Sequence, residues 1–306
     1  METIRIGTRG SALALWQAGF VRSELLNHYP DLKTERIIIK TEGDRDQSSS
    51  LSRIGGQGVF TKAIEDALLE KRIDLAIHSL KDLPSKMTSG LKLAAVPERG
   101  PVEDVLVTED GISFEELADD AIIATGSIRR KSQLLHLKPG LMIVDLRGNI
   151  DTRLRKLREQ DLDGIIMAHA AIKRLKLDMV KYNVFPAEQM VPGVSQGALG
   201  IQIRETDREL CDLLQKLNHA PSMTAATAER AFLHTLDSGC QFPVGAYAFL
   251  QDTDLIIDGF VGSTDGQTVY REKRFGKPKT AEEIGHQLAL SFLEKGAGEL
   301  LKQISQ

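Results

Sequence analysis

The stretch Ile4-Arg5-Ile6-Gly7-Thr8-Arg9-Gly10-Ser11, running on through Ala12 to Leu26 and then Glu35-Arg36-Ile37-Ile38-Ile39, decides the fold. Isoleucines at alternate positions suit a pleated strand, the apolar spacing from Ala12 to Leu26 suits a helix, and Ile37 to Ile39 suit a second strand. Strand, helix, strand is a βαβ unit, and its continuation implies an α/β domain. A Gly-rich loop, Gly55-Gly56-Gln57-Gly58, opens the next helix with Phe60, Ile64, Ala67 and Leu68 on its apolar face, ahead of a short buried strand, Leu75-Ala76-Ile77.

After Val96-Pro97 and Gly100-Pro101 the alternation restarts. Strands are predicted at Val105–Val107, Ala121–Thr125, Leu141–Leu146 and Gly164–Met167, with helices between. Pro192-Gly193 then punctuates the chain before Ala198 to Arg204, a strand-like stretch suited to cross back to the first domain. Two crossings, at 97–101 and 191–197, would make a hinged pair. From Ala220 the pattern changes to one helix, three alternating stretches (Val244–Leu250, Leu255–Val261, Thr268–Phe275) and helical sequence from Ala281 to Gln303. The expected domains are therefore 1–97 with 197–217 (α/β), 100–192 (α/β) and 219–306 (a small α+β domain).

A chain of 306 residues is long enough for two or three such cores. With 42% hydrophobic and 27% charged residues it has the composition of an ordinary globular protein. The apolar run Ala12 to Trp16 is far too short to span a bilayer, and the N-terminus lacks a targeting pattern, so a cytoplasmic protein without a membrane partner is expected. Cys211 and Cys240 make no disulfide framework. A net charge of −4 argues against a nucleic-acid partner. Yet Arg129-Arg130-Lys131, Arg147, Arg153, Arg155, Lys156 and Arg158 concentrate positive charge locally, which suits a focused anion site.

Three strand-to-helix junctions share one grammar: Gly7-Thr8-Arg9-Gly10-Ser11, Thr125-Gly126-Ser127-Ile128-Arg129-Arg130, and Leu146-Arg147-Gly148-Asn149 running on to Arg153. Each joins a capping residue to arginine. Unpaired N–H groups at a helix start favour anions, and guanidinium adds a two-pronged clamp. For any one junction, plain capping with solvated arginines is the simpler reading; three together point to a ligand. The Gly-rich loop lacks the lysine and Ser/Thr of a nucleotide-binding P-loop, which favours several carboxylates over phosphate. Such a ligand would sit at the carboxyl ends of the strands. Asp82, in His78-Ser79-Leu80-Lys81-Asp82-Leu83-Pro84, falls at another strand end; it faces the same place or merely caps a turn. Cys240, in the Gly/Pro-bounded turn Gly239-Cys240-Gln241-Phe242-Pro243, is a candidate exposed thiol, whereas Cys211 lies on an apolar helical stretch and reads as core. The histidines His78, His136, His169, His219 and His234 have no metal-ligand spacing, so no metal is expected.

Together these stretches resemble the porphobilinogen deaminases (hydroxymethylbilane synthases) in order and spacing. The motifs are Thr8-Arg9-Gly10-Ser11 with Leu13 to Gln17, His78 to Pro84, Thr125 to Arg130, Leu146 to Leu154, and Gly239 to Pro243. The resemblance implies two periplasmic-binding-protein-like α/β domains around a hinged cleft, plus a small C-terminal α+β domain carrying the cysteine. It further implies a monomeric transferase of tetrapyrrole and heme biosynthesis whose small-molecule substrate is porphobilinogen. Four porphobilinogens would be condensed, with loss of ammonia, on a dipyrromethane cofactor held at Cys240 by a thioether. By the same resemblance Asp82 is catalytic. Ser79, Lys81, Asp82, Thr125, Ser127, Arg129, Arg130 and Arg153 hold the cofactor, and Arg9, Ser11, Gln17, Phe60, Arg147 and Arg174 meet substrate or growing chain.

The chain departs from the family pattern at Gln57, where lysine is typical, at Glu103, where Asp-Pro-Arg-Asp is usual, and at Ser195, where Val-Gly-Gln-Gly becomes Val-Ser-Gln-Gly. Arg53 keeps one basic position of the Gly-rich loop. Two rival classes compete. A two-lobed carboxylate receptor would bind reversibly and leave Cys240 without a task. A thiol enzyme using Cys240 as acyl-transfer nucleophile would need a histidine partner that no motif supplies.

Overall fold

The computed structural model describes residues 3–41, 61–237 and 242–305. The chain divides into two compact units, 1–100 with 197–223 and 101–196 with 224–306.

The first unit opens with β1 (Ile4–Thr8), α1 (Ala12–His28) and β2 (Thr34–Ile38), then α2 (Lys62–Leu69), β3 (Leu75–Ser79) and β4 (Leu91–Ala95). Helix α1 starts where the Ser11 side chain accepts from Ala14 N–H, and it ends at Tyr29, directly before Pro30. Ala14, Gln17, Ala18, Val21 and Leu25, spaced three or four apart, form its buried face.

The chain then builds β5 (Asp104–Val107), β6 (Ile122–Ala124), α3 (Ile128–Leu137), β7 (Met142–Val144), α4 (Ile150–Glu159), β8 (Gly164–Ala168), α5 (His169–Arg174) and β9 (Tyr182–Phe185) in the second unit. It returns to the first for β10 (Leu199–Arg204) and α6 (Arg208–Leu214). Helix α7 (Ala220–Thr235) leads to β11 (Val244–Gln251), β12 (Asp254–Gly262), β13 (Val269–Gly276), α8 (Ala281–Glu294) and α9 (Ala297–Ser305).

The two α/β sheets follow the same plan. Their orders are β2-β1-β3-β10-β4 and β7-β6-β8-β5-β9. In the first, β2, β1 and β3 are parallel while β10 runs antiparallel to both neighbours. In the second, β7, β6 and β8 are parallel and β5 is the reversed strand. The reversed strand in each sheet is the first one built after the chain changes unit. Reversal places its beginning at the carboxyl ends of the parallel strands: Leu199 pairs with Ser79, and Asp104 with Ala168. The crossing segments thus lie beside the loops that carry the motifs, where open α/β sheets bind ligands.

The C-terminal part is a three-stranded antiparallel sheet, β11-β12-β13. Ile284, Leu288 and Phe292 of α8 cover it, and Phe292 meets Phe232 of α7 edge-to-face at 5.3 Å. It belongs to the same compact unit as the second α/β sheet. Strand β11 comes close at Gly245, where a Cβ would lie 2.9 Å from the Pro192 carbonyl oxygen and 3.1 Å from Arg129 Cδ. The buried Glu229 of α7 accepts from Ala248 N–H at 2.7 Å and from Ser195 N–H, tying the segment before Gly197 to β11.

Ser195, one of the departures from the family pattern, has a φ of 60°. This left-handed conformation suits glycine and costs an L side chain roughly 1–2 kcal/mol. Its Oγ is buried with no hydrogen-bond partner among the described residues. Ser195→Gly is therefore expected to stabilise the protein by about 1 kcal/mol, seen as a higher urea midpoint at unchanged slope. An equal or lower midpoint would contradict the strain argument.

Candidate active site

In the first unit, three separate stretches meet in one pocket. Arg9 and Ser11 come from the loop after β1 and Gln17 from α1, while Ser79 and Asp82 lie just past the centre of the sheet; His78 lines the same space. Gln17 is buried and donates through Nε2 to Ser79 Oγ at 2.7 Å. Ser79 therefore accepts from inside the protein and keeps its own hydroxyl proton to donate to a ligand. Asp82 ends a single 3-10 turn, Leu80–Asp82, pinned by Leu80 N–H to the Ala198 carbonyl at 3.0 Å and by Leu83 N–H to the Leu80 carbonyl at 3.2 Å. Its carboxylate is exposed, whereas Lys81 of the same turn is half-buried and is not among the residues lining the pocket.

Behind the pocket runs a chain of buried polar groups. His78 Nε2 lies 3.0 Å from Gln202 Oε1, Gln202 Nε2 donates to Glu65 Oε1 at 2.8 Å, and Thr88 Oγ1 donates to Glu65 Oε2 at 3.0 Å. Burial, reinforced by the positive charge of Arg9, pushes the His78 pKa down to about 4 against the opposing bond to Gln202. The imidazole is neutral at physiological pH.

The second unit is organised around Asp104. This carboxylate has no exposed surface, and it accepts from Arg129 Nη2 at 2.7 Å and from Arg130 Nε and Nη2 at 2.9 and 2.7 Å. Gln196 Nε2 adds a bond at 2.9 Å. Arg129 also donates to the Val191 carbonyl at 2.7 Å and Arg130 to the Ile166 carbonyl at 3.0 Å. Burial would raise the Asp104 pKa, but the charges of Arg129 and Arg130 outweigh it and hold the group far below the usual carboxylate range. Two guanidiniums against one carboxylate leave one positive charge in excess in a dry setting. An anionic ligand would complement that excess, so the donor set fits a group bearing carboxylates.

Around this hub the capping half of the junction grammar is plain. Ser127 caps α3 by accepting from Arg130 N–H, and the buried Thr125 accepts from Ser127 N–H at 3.2 Å. Asn149 caps α4 by accepting from Thr152 N–H at 2.9 Å. Gly148, just before it, has φ 110°, where a Cβ would strike Thr152. Several of the arginines engage the protein itself: Arg147 pairs with Asp145 at 2.9 Å and Arg153 donates to the Gly148 carbonyl at 2.9 Å. Arg174, in the last turn of α5, is pushed down to about 10 by burial and stays cationic. Glu103, the second departure, brings its Oε2 to 3.5 Å from His169 Nδ1, one residue from the hub. Phe60, Cys240 and the loop Gly55-Gly56-Gln57-Gly58, with Arg53, lie outside the described residues. Cys211 packs partly buried against the core of the first unit.

Sequence reasoning missed Asp104, Gln196, Glu65 and Gln202. The one local signal for Asp104 is a charge opening the apolar strand Val105-Leu106-Val107; nothing nearby announces its arginine partners, 25 and 26 residues downstream.

Residues 4–212 match the profile described as porphobilinogen deaminase, dipyromethane cofactor binding domain, and residues 223–294 match the profile of the porphobilinogen deaminase C-terminal domain. The chain belongs to the porphobilinogen deaminase family. A relative named porphobilinogen deaminase from Syntrophomonas wolfei is 46% identical, over 98% of this chain and 98% of its own. Relatives of the same name from Chlorobium phaeobacteroides and Moorella thermoacetica are 43% and 41% identical, over 98% and 99% of this chain and 97% of each of theirs. Among solved structures, a probable amino-acid ABC transporter extracellular-binding protein from Bacillus subtilis is similar over 71% of this chain and 90% of its own, at 13% identity and a TM-score of 0.47. The family's cofactor is dipyrromethane, and the family enzyme is a transferase of tetrapyrrole biosynthesis.

Two outcomes are expected from these buried groups. Asp104→Asn removes the counter-charge from two buried guanidiniums and should cost about 3–5 kcal/mol of stability in denaturant melts. A loss under about 1 kcal/mol would show the hub to be wet. For His78, a folded pKa near 4 lies below the unfolded value of 6.5, so the unfolded chain binds the extra proton between those limits. Stability should fall as pH drops from about 6.5 to 4, by on the order of 3 kcal/mol from this group. His78→Gln should flatten that part of the pH–stability curve.

Proposed function

We propose that this chain is a hydroxymethylbilane synthase that condenses four porphobilinogens head to tail, with loss of ammonia, on a dipyrromethane primer joined to Cys240. The observation that carries the reading is the meeting of Arg9, Ser11, Gln17, Ser79 and Asp82 in one pocket, in a chain whose family membership spans both profiles. When bound, the dipyrromethane supplies the nucleophilic pyrrole carbon from which the chain grows.

The protein's own residues supply charge and position. Every pyrrole carries an acetate and a propionate, so substrate and primer bring many carboxylates, and the local surplus of arginine answers them. Ser79, Lys81, Asp82, Thr125, Ser127, Arg129, Arg130 and Arg153 hold the primer. The excess positive charge beside Asp104 supports this assignment for Arg129 and Arg130. Arg9, Ser11, Gln17, Phe60, Arg147 and Arg174 meet substrate. Loss of ammonia from porphobilinogen leaves a cation spread over the pyrrole, and a fixed carboxylate at Asp82 stabilises it through the ring N–H. The same carboxylate takes up the proton released when the terminal ring regains aromaticity.

We also infer a partition into three domains, 1–97 with 197–217, 100–192 and 219–306, the last carrying Cys240. The chain acts as a cytoplasmic monomer without a nucleic-acid or membrane partner; among the described residues no helix is long and apolar enough to cross a bilayer.

Intact mass of the denatured protein tests the primer. An excess equal to two porphobilinogens less two ammonias is expected, and it should vanish in Cys240→Ser. A bare mass that persists after incubation with porphobilinogen would exclude the reading. Asp82→Asn should keep the mass excess yet lose turnover by roughly 100-fold or more, measured as porphobilinogen consumption. Near-normal turnover would remove Asp82 from the chemistry.

A further inference from the structure

One group in the first unit's pocket has no task in the scheme above. His78 is 5% exposed, lines the pocket with Ser79 and Asp82, and heads the polar chain that runs back to Glu65. That chain determines where the imidazole proton sits. The Glu65 carboxylate accepts on both oxygens, from Gln202 on one and Thr88 on the other. The Gln202 amide must turn its NH2 toward Glu65, which leaves only its carbonyl oxygen facing His78. A carbonyl accepts, so Nε2 must carry the hydrogen. In a neutral ring Nδ1 is then a bare lone pair. Nδ1 has no donor from the protein among the described residues, and it is not among the buried polar atoms closed off from a partner.

We propose that His78 is a substrate-contacting residue, its Nδ1 accepting a hydrogen bond from an N–H of the pyrrole substrate bound beside Asp82, with Gln202, Glu65 and Thr88 fixing the tautomer. The inference rests on the deaminase reading of this pocket. An uncharged acceptor orients the ring N–H through direction and distance, and leaves stabilisation of the cation to the Asp82 carboxylate. Gln202 and Glu65 are positioning residues: they act on substrate only through the ring.

Two substitutions separate this role from a structural one. In His78→Gln the amide reaches the Nε2 position and keeps a bond to Gln202 while the Nδ1 acceptor is lost. In His78→Asn the amide occupies the Nδ1 position and the bond to Gln202 is lost. Both full-length variants are compared with wild type for intact mass, melting temperature, kcat and KM. The expected result is a His78→Gln enzyme with the wild-type mass excess and kcat/KM reduced roughly 10- to 100-fold, against a loss within about threefold for His78→Asn. The reverse order, or two variants with wild-type kcat/KM, would overturn the proposal.

Nitrogen-15 spectra of histidine-labelled wild type give a readout independent of turnover. A protonated Nε2 with a bare Nδ1, whose resonance moves when porphobilinogen is added, is expected. A protonated Nδ1, or an Nδ1 resonance that porphobilinogen leaves unmoved in an enzyme that consumes it, would overturn the proposal even if a variant fails to fold. Wild-type protein that does not consume porphobilinogen would overturn the deaminase reading instead, so the two failures are told apart.

Discussion

Asp104 sits without exposed surface between two guanidinium groups, and much of the second unit is arranged to keep it there. A lone carboxylate in that setting would be prohibitively costly, and so would either arginine. Together, with Gln196 and the carbonyls of Val191 and Ile166 adding further hydrogen bonds, they become tolerable. The ion cluster thereby fixes the start of β5, the first turn of α3, the middle of β8 and the segment before Gly197 relative to one another. Gly245 extends the constraint to the C-terminal sheet, because only a residue without Cβ lets β11 lie against Arg129.

The first unit meets the same problem with neutral groups. Gln17 and Gln202 are buried amides that turn toward specific acceptors, one fixing Ser79 and the other the tautomer of His78. Asp82 contributes an exposed carboxylate to the lining of the pocket, while Glu65, at the far end of the buried chain, lies behind its wall. The two units are thus built differently: the second around a buried surplus of positive charge, the first with a carboxylate beside ordered donors and acceptors.

Two of the departures from the family motifs, Ser195 and Glu103, fall where these constraints are felt. Ser195 holds a left-handed backbone conformation one residue before Gln196, which bonds Asp104, and Glu103 adds a carboxylate next to the same hub.

The alternation of strands and helices, the caps at Ser11, Ser127 and Asn149, and the reading of Asp82 and its motif at a strand end were all legible in the sequence, because each depends on interactions within a few residues. So was family membership, carried by motifs in fixed order. The return of Ala198 to Arg204 to the first domain was legible from Pro192-Gly193 and the strand-like run, whereas its antiparallel direction was not. What the arginines do was not legible either. Arg129 and Arg130 look like solvent-facing clamps on paper, yet their closest carboxylate lies 25 and 26 residues earlier, on a strand whose position depends on where the chain changes unit. The His78 tautomer was equally hidden, since Glu65 and Gln202 stand 137 residues apart. Sequence by itself determined the elements, their caps and the family, through short-range sterics and hydrogen bonds; only the tertiary structure decided which charges are buried together and which nitrogen faces the pocket, because burial and pairing belong to the assembled sheets.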